Sequence, residues 1–384
     1  MTTQPRPLGI ALIGFGGIGR AHAQAWRDVA LHYGLPAGTL RLVGVATARP
    51  ETAKQAGQAL GDVIATSDAG ALIGRADVDI VDVCTPGDSH LAMAQLACAA
   101  RKHLYLEKPV ANDLADARRV AAAVRQAGVA AQINFNYRWL PAVQRMKELI
   151  AQGFLGELRA ASGRYCRSSH ADPQRAHSWR HVRARAGGGA LADLGAHVLD
   201  LLQWLAGPIT QVRAATRTVI AQRPTRADGP ADGLVDTDDE ARAQLRFASG
   251  AEGVLETSRI AIGALNELTL ELRGSAGALR FNLDDPNAAW AYDATLPEAR
   301  RGWTRLETVQ RYAGAKHPDW ASAVGISRSH CEGVYQFARA IWEDRPAEPG
   351  LLAGLRAQAA IEAGYASAGT DAWVPVSTFD LEVP

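Results

Sequence analysis

Residues 8–19 read LGIALIGFGGIG, an apolar run that breaks into Gly14-Phe15-Gly16-Gly17-Ile18-Gly19. The run has the length of a buried strand, and the residues after Gly17 carry a helical pattern with no proline in the window. This is G-x-G-x-x-G between a predicted strand and a predicted helix. Gly14 allows a tight turn, Gly16 lets backbone approach a pyrophosphate, and Gly19 lets helix and strand pack closely. The free N–H groups at the helix start then face the phosphates. A secretory leader is the rival reading, with Arg6 ahead of the apolar stretch and Ala21-His22-Ala23 imitating a cleavage site. Three glycines at dinucleotide spacing inside the supposed leader speak against it.

The 384 residues suffice for two domains and a large core. Forty-one Lys and Arg against 40 Asp and Glu leave no basic excess for nucleic acid, and no apolar stretch is long enough for a membrane span. Cys84, Cys98, Cys166 and Cys331 form no C-x-x-C pair, so they read as buried thiols of a cytoplasmic protein.

Strands are predicted at 8–13, 40–46, 79–84, 103–106 and 129–135, with helices at 17–33, 50–60, 88–100 and 113–127 between them. This βαβα order predicts a parallel sheet covered on both faces: a Rossmann domain over residues 1–135. Asn112 or Asp113 serves as N-cap and Gly128 as stop for the last helix. Residues 136–384 change texture: helices at 141–152, 189–206, 328–343 and 350–367, and strands at 157–166, 209–220, 239–248, 252–260, 266–273 and 277–283. They read as an α+β domain with an open, mostly antiparallel sheet and a surface loop over 221–236.

The fourth strand ends in Leu106-Glu107-Lys108-Pro109. Ligands of open parallel sheets bind beyond the carboxyl ends of the strands, so Lys108 is placed to stabilise oxygen charge during hydride transfer. On the helix 189–206, Asp193, His197, Asp200 and Trp204 share a face, while Leu194, Val198, Leu201, Leu202 and Leu205 form a separate apolar stripe. His197 suits proton transfer, and Asp193 one turn away suits holding its tautomer. Asp-x-x-x-His-x-x-Asp is also a possible metal set, with His177 and His181 upstream. Thr85, Pro86 and His90 follow the third strand and are cofactor candidates. Tyr137, Arg138 and Arg180 are candidates for the cleft, and His22 reads as structural.

Together, Gly14 to Gly19, Cys84-Thr85-Pro86, Glu107-Lys108-Pro109, Asn136-Tyr137-Arg138 and Gly187 through Asp200 resemble the glucose–fructose oxidoreductase, inositol dehydrogenase and rhizopine-catabolism (Gfo/Idh/MocA) family. Ser178-Trp179-Arg180 and the run Val254 to Arg259 look most like its sugar or anhydrosugar dehydrogenases. The resemblance implies a Rossmann domain plus an open-sheet domain that often forms the subunit interface, hence a homodimer or homotetramer. It implies that Lys108 binds the reacting hydroxyl, Asp193 orients and His197 is the acid/base. No metal is then called for. The expected reaction moves hydride between NAD(P) and a secondary hydroxyl of a sugar, anhydrosugar or cyclitol. A redox-assisted glycosidase and a non-catalytic dinucleotide sensor are the alternatives. Where NAD-preferring relatives carry an acid after the second strand, this chain has Thr47 and, close by, Arg49, which tilts the expectation to NADP.

Overall fold

In the computed structural model, which describes residues 5–226, 229–308, 312–318 and 322–377, the apolar run is the strand β1 (Leu8–Ile13). All six residues are buried, each large side chain contributing about 1.5–3 kcal/mol. The chain continues through α1 (Gly17–Tyr33), β2 (Leu40–Ala46), α2 (Pro50–Leu60), β3 (Ile64–Thr66), α3 (Ala69–Ile73), β4 (Ile80–Val83), α4 (His90–Ala99), β5 (His103–Leu106), α5 (Leu114–Ala127) and β6 (Ala131–Ile133). The parallel sheet has the order β3-β2-β1-β4-β5-β6. The strand order reverses at β1 and β4, which opens a crevice beyond their carboxyl ends. A leader reading of residues 8–13 fails here, because β1 pairs with both β2 and β4 inside this sheet. The Asp113 carboxylate caps α5 by accepting from Asp116 N–H, and Gly128 ends it in the left-handed region.

The second part holds α6 (Pro141–Ala151), β7 (Leu158–Cys166), α7 (Arg183–Ala186), α8 (Ala190–Asp193), α9 (Gly195–Ala206), β8 (Ile209–Arg217), β9 (Gln222–Arg223), β10 (Gly233–Leu234), β11 (Glu240–Phe247), β12 (Glu252–Ser258), β13 (Glu267–Gly274), β14 (Gly277–Asn282), β15 (Ala288–Asp293), β16 (Trp303–Glu307), α10 (Ile326–Trp342), α11 (Leu351–Thr370) and β17 (Val374–Pro375). Nine strands order as β16-β15-β14-β13-β7-β12-β11-β8-β17, antiparallel except for the β7–β12 pair. The predicted leucine stripe is buried and packs α9 on one face of this sheet. The other face is open, with Val254 and Trp290 exposed.

Several expectations change. The strand expected at 129–135 is only Ala131–Ile133, and a 3₁₀ turn follows over Asn136–Trp139. β3, α3, β15 and β16 were not foreseen, and the loop 221–236 carries the β9–β10 ribbon. The helix expected over 189–206 breaks at Leu194 into α8 and α9. α10 crosses back to the first part, where Val334 and Phe337 share a core with Trp26 and Tyr33 of α1.

Candidate active site

The glycine turn behaves as its three roles require. Gly14 has φ +98°, and a Cβ there would lie 2.7 Å from the Cys84 carbonyl oxygen. A Cβ on Gly19 would lie 2.2 Å from the Gly14 carbonyl oxygen, so any side chain would push α1 off β1. Gly16 and Gly17 face open space, and no side chain caps the start of α1. This cradle of bare backbone fits a pyrophosphate. Phe15 and Ile18 line the same cleft, whose volume is about 1100 Å³ and which extends past Thr85, Pro86 and Lys108 to Asp193 and His197.

Beneath the cleft lies a buried charge group that sequence reasoning missed. His22 Nδ1 meets Asp82 Oδ1 at 2.9 Å and its Nε2 meets Glu107 Oε1 at 3.1 Å. Trp26 Nε1–H donates to Asp82 Oδ2 at 2.7 Å. Burial alone would lower the His22 pKa, but Asp82 and Cys84 outweigh it and raise it well above the ordinary value. Burial likewise opposes ionisation of Glu107, yet His22 and Lys108 push it down to about 2. A cationic imidazole thus bridges two carboxylates and fixes the strand end from which Lys108 projects. Among the described residues, His22, Asp82 and Cys84 alone bring ligand atoms close enough for a metal, and those atoms already bond to one another.

Lys108 Nζ donates to Asp193 Oδ1 at 2.8 Å and to the Asp193 carbonyl oxygen at 3.0 Å. That carbonyl would take the His197 N–H in an unbroken helix. His197 N–H instead donates to Leu194 O at 3.2 Å, which frees the Asp193 carbonyl for the lysine. The break between α8 and α9 is therefore part of the site. Burial would raise the Asp193 pKa, but Lys108, with Arg180 and Arg259 beyond, drives it far below the carboxylate range. No hydrogen bond joins Asp193 to His197, so the expected tautomer-holding role gives way to pairing with Lys108. The His197 ring packs against Tyr137, with centroids 4.7 Å apart, and its buried Nδ1 has no hydrogen-bond partner. Burial and the nearby Lys108 hold His197 well below 6.5, hence neutral. Tyr137 and Tyr165 share a hydrogen bond at 2.8 Å behind it.

Other predicted residues sit elsewhere. Arg138 leaves the cleft: its guanidinium clamps Asp200 through contacts of 2.6 and 2.8 Å, both side chains buried. Asp200 and Trp204 go with it, which disperses the proposed metal set. Thr47 lines the cleft with its hydroxyl on Thr52 Oγ1 at 2.7 Å, whereas Arg49 is exposed at the start of α2 and Arg20 is the cation that lines this end. His90 is buried, with Nε2 2.9 Å from Thr85 O and Nδ1 3.0 Å from Pro109 O, so it braces the wall and offers no free donor. Arg180 lines the cleft and stacks on Trp179, 4.3 Å from the ring centroid. Tyr165, Arg167, His170, Arg175, Arg259 and His330 also line it. Apart from Arg259, which ends the run Val254 to Arg259, they stand outside any motif, and only their fold neighbours reveal them.

A glycine cradle at the switch point of a Rossmann sheet, with an amine and an imidazole on one cleft, defines a dinucleotide-dependent oxidoreductase. Family profiles match on both parts: the oxidoreductase family with an NAD-binding Rossmann fold over residues 8–135, and the GFO/IDH/MocA C-terminal domain over 143–280. Levoglucosan dehydrogenase of Pseudarthrobacter phenanthrenivorans is 33% identical, covering 96% of this chain and 98% of its own. D-apiose dehydrogenase of Paraburkholderia graminis is 28% identical, covering 97% and 91%. A solved levoglucosan dehydrogenase in complex with NADH and levoglucosan superposes with TM-score 0.92 at 32% identity, covering 97% of this chain and all of that one. The chain belongs to the Gfo/Idh/MocA family of oxidoreductases.

Proposed function

We propose that the protein oxidises, or in reverse reduces, a secondary alcohol carbon of a sugar, anhydrosugar or cyclitol with NAD(P). The carrying observation is the Lys108–Asp193 pair on the same cleft as the unpartnered, neutral His197. Gly14 to Gly19, Thr47, Thr85 and Pro86 would hold the dinucleotide, which supplies the hydride acceptor. Lys108 donates a hydrogen bond to the reacting oxygen and stabilises charge as it develops there. His197 accepts the hydroxyl proton while the carbon gives up its hydride, so two electrons and two protons leave the alcohol, one proton to His197 and the other within the hydride. Asp193 holds the amine aimed through its carboxylate and its carbonyl oxygen. Tyr137 and Arg180 contact the substrate from the opposite walls. Arg138, bound to Asp200, has no part.

Thr47 follows β2 in place of a carboxylate, the first acid being Glu51 in α2, which favours the 2′-phosphorylated cofactor, with Arg20 now the cleft cation nearest in role to the one expected of Arg49. The open sheet face, with Val254 and Trp290 exposed, suits a homodimer or homotetramer. Among the described residues no helix is long and apolar enough to cross a membrane. The test is a panel of sugars, anhydrosugars and inositols assayed with NAD and NADP at the nicotinamide absorbance. Reduction of cofactor by at least one polyol is expected. Silence across the panel together with cleavage of an aryl glycoside would instead support the redox-assisted glycosidase.

A further inference from the structure

The cleft wall built by β7, the loop after it and β12 holds more positive charge than the proposed chemistry uses. Three carboxylates line the cleft and each already has a cation: Asp88 with Arg185 at 3.0 Å, Glu107 with His22 at 3.1 Å, and Asp193 with Lys108 at 2.8 Å. Arg167, Arg175, Arg180 and Arg259 line it as well. Among the described residues, Arg167, Arg175 and Arg180 have no carboxylate within ion-pair distance. Arg259, 2% exposed, spends its NH2 on the Thr237 hydroxyl and the Asp238 carbonyl and stands 3.8 Å from Asp239. The Nε atoms of Arg167 and Arg259 are buried without partners.

A histidine pair adds a donor of fixed sense. Ser178 N–H donates to His181 Nδ1 at 3.0 Å, and an amide can only donate, so the His181 proton sits on Nε2. That proton points to His170 Nδ1 at 3.2 Å, which leaves the His170 proton on its own Nε2. Burial and the surrounding arginines hold both rings at about 3, hence neutral. Burial, the larger cause, disfavours charge of either sign, while the arginines' share of the effect favours an anion.

We infer that the polyol handled at Lys108 and His197 carries an anionic group, a carboxylate or a phosphate, received by Arg167, Arg175 and Arg180 with His170 as a neutral donor. The inference rests on the dehydrogenase reading and narrows its substrate class to acidic sugars. Arg167 follows β7 and Arg175 lies in the loop after it, both in the second part of the chain and outside the glycine turn that cradles the pyrophosphate.

The experiment uses the full chain and matched sets: D-glucose, D-glucuronate, D-gluconate and D-glucose 6-phosphate, with the galactose series beside them. Cofactor reduction gives kcat/KM, and calorimetry on the NADH-loaded and NADPH-loaded protein gives binding. At least one acid or phosphate is expected to exceed its neutral counterpart by roughly 10- to 100-fold, the worth of one or two charge-assisted hydrogen bonds. Whether carboxylate or phosphate leads identifies the group. Added salt should erode the preference. Arg175→Gln should raise KM for the anion by about tenfold with a smaller change in kcat, and Arg175→Lys should restore part of it. Arg175 is exposed and free of side-chain partners, so the fold survives its loss. Binding of an acid without turnover, lost in Arg175→Gln, would uphold the anion site while the dehydrogenase reading falls. Turnover of neutral sugars at rates equal to every acid overturns the inference, as does an Arg175→Gln variant that weakens the dinucleotide and not the acid.

Discussion

Replacing Arg138 by alanine should destabilise the protein without touching its chemistry. Arg138 and Asp200 are 9% and 1% exposed at their side chains, and the guanidinium meets both carboxylate oxygens. Among the described residues, those two contacts are the only hydrogen bonds to the Asp200 carboxylate. Arg138→Ala therefore strands a buried charge, a change that costs about 3–5 kcal/mol. Loss of the guanidinium from the Trp204 face, 5.2 Å away, adds about 0.5 kcal/mol. The expected loss is about 4 kcal/mol, a large part of ordinary stability. It should depend on pH with a definite sign. Burial already outweighs Arg138 and holds the Asp200 pKa above the ordinary value, so native stability is lost as pH rises through that raised pKa. Without the cation the pKa climbs further. Urea unfolding of the variant should show its full deficit near neutral pH and a smaller one near about pH 5. Adding Asp200→Asn should return a good part of it. A deficit under about 1 kcal/mol refutes the reasoning. So does a loss of kcat/KM at full stability, which would return Arg138 to the substrate.

Lys108→Ala should lower kcat/KM by about a thousandfold or more, since it removes a donor to the developing oxyanion and the partner that holds Asp193 ionised, while calorimetry shows the dinucleotide bound within a few-fold. Gly19→Ala puts a methyl 2.2 Å from the Gly14 carbonyl oxygen, so dinucleotide affinity should fall by at least about tenfold, with a lower melting temperature by scanning calorimetry. His170 and His181 sit at about 3 in the native state against 6.5 ordinarily, so the unfolded chain takes up protons first and stability is lost as pH falls from 6.5 towards 3. His181→Phe should flatten the slope of unfolding free energy against pH in that window; an unchanged slope would mean that the ring is charged in the fold.

The parts of this molecule written in short range were legible. β1, its glycine turn and α1 lie within one window of the chain. The caps Asp113 and Gly128 act on their own helix, and Lys108 is placed by ending a strand. The leucine stripe of α9 announced its buried face. What stayed hidden depends on partners far along the chain. Nothing near Arg138 says that Asp200 will claim it, and nothing near His22 says that Asp82 and Glu107 will close on it. The break at Leu194 coincides with a bond from Lys108 to the carbonyl, 85 residues further on, that an unbroken helix would use. β15 was hidden by Asp284-Asp285-Pro286 and by an outward Trp290 among alanines, and β16 by the polar Thr304, Arg305 and Glu307, so that a pattern of alternation is faint.

The return of α10 to the first part has a consequence for how such chains can be recombined. A cut at residue 135 would bare the Trp26 and Tyr33 side of α1 and forfeit the Val334–Phe337 half of that core. The Ser329 hydroxyl, which accepts from the Asn136 amide at 3.1 Å, would go with it. The nucleotide-binding half is thus completed by sequence from beyond the catalytic half. Exchange of modules between relatives keeps its cores whole only if α10 travels with the half it seals.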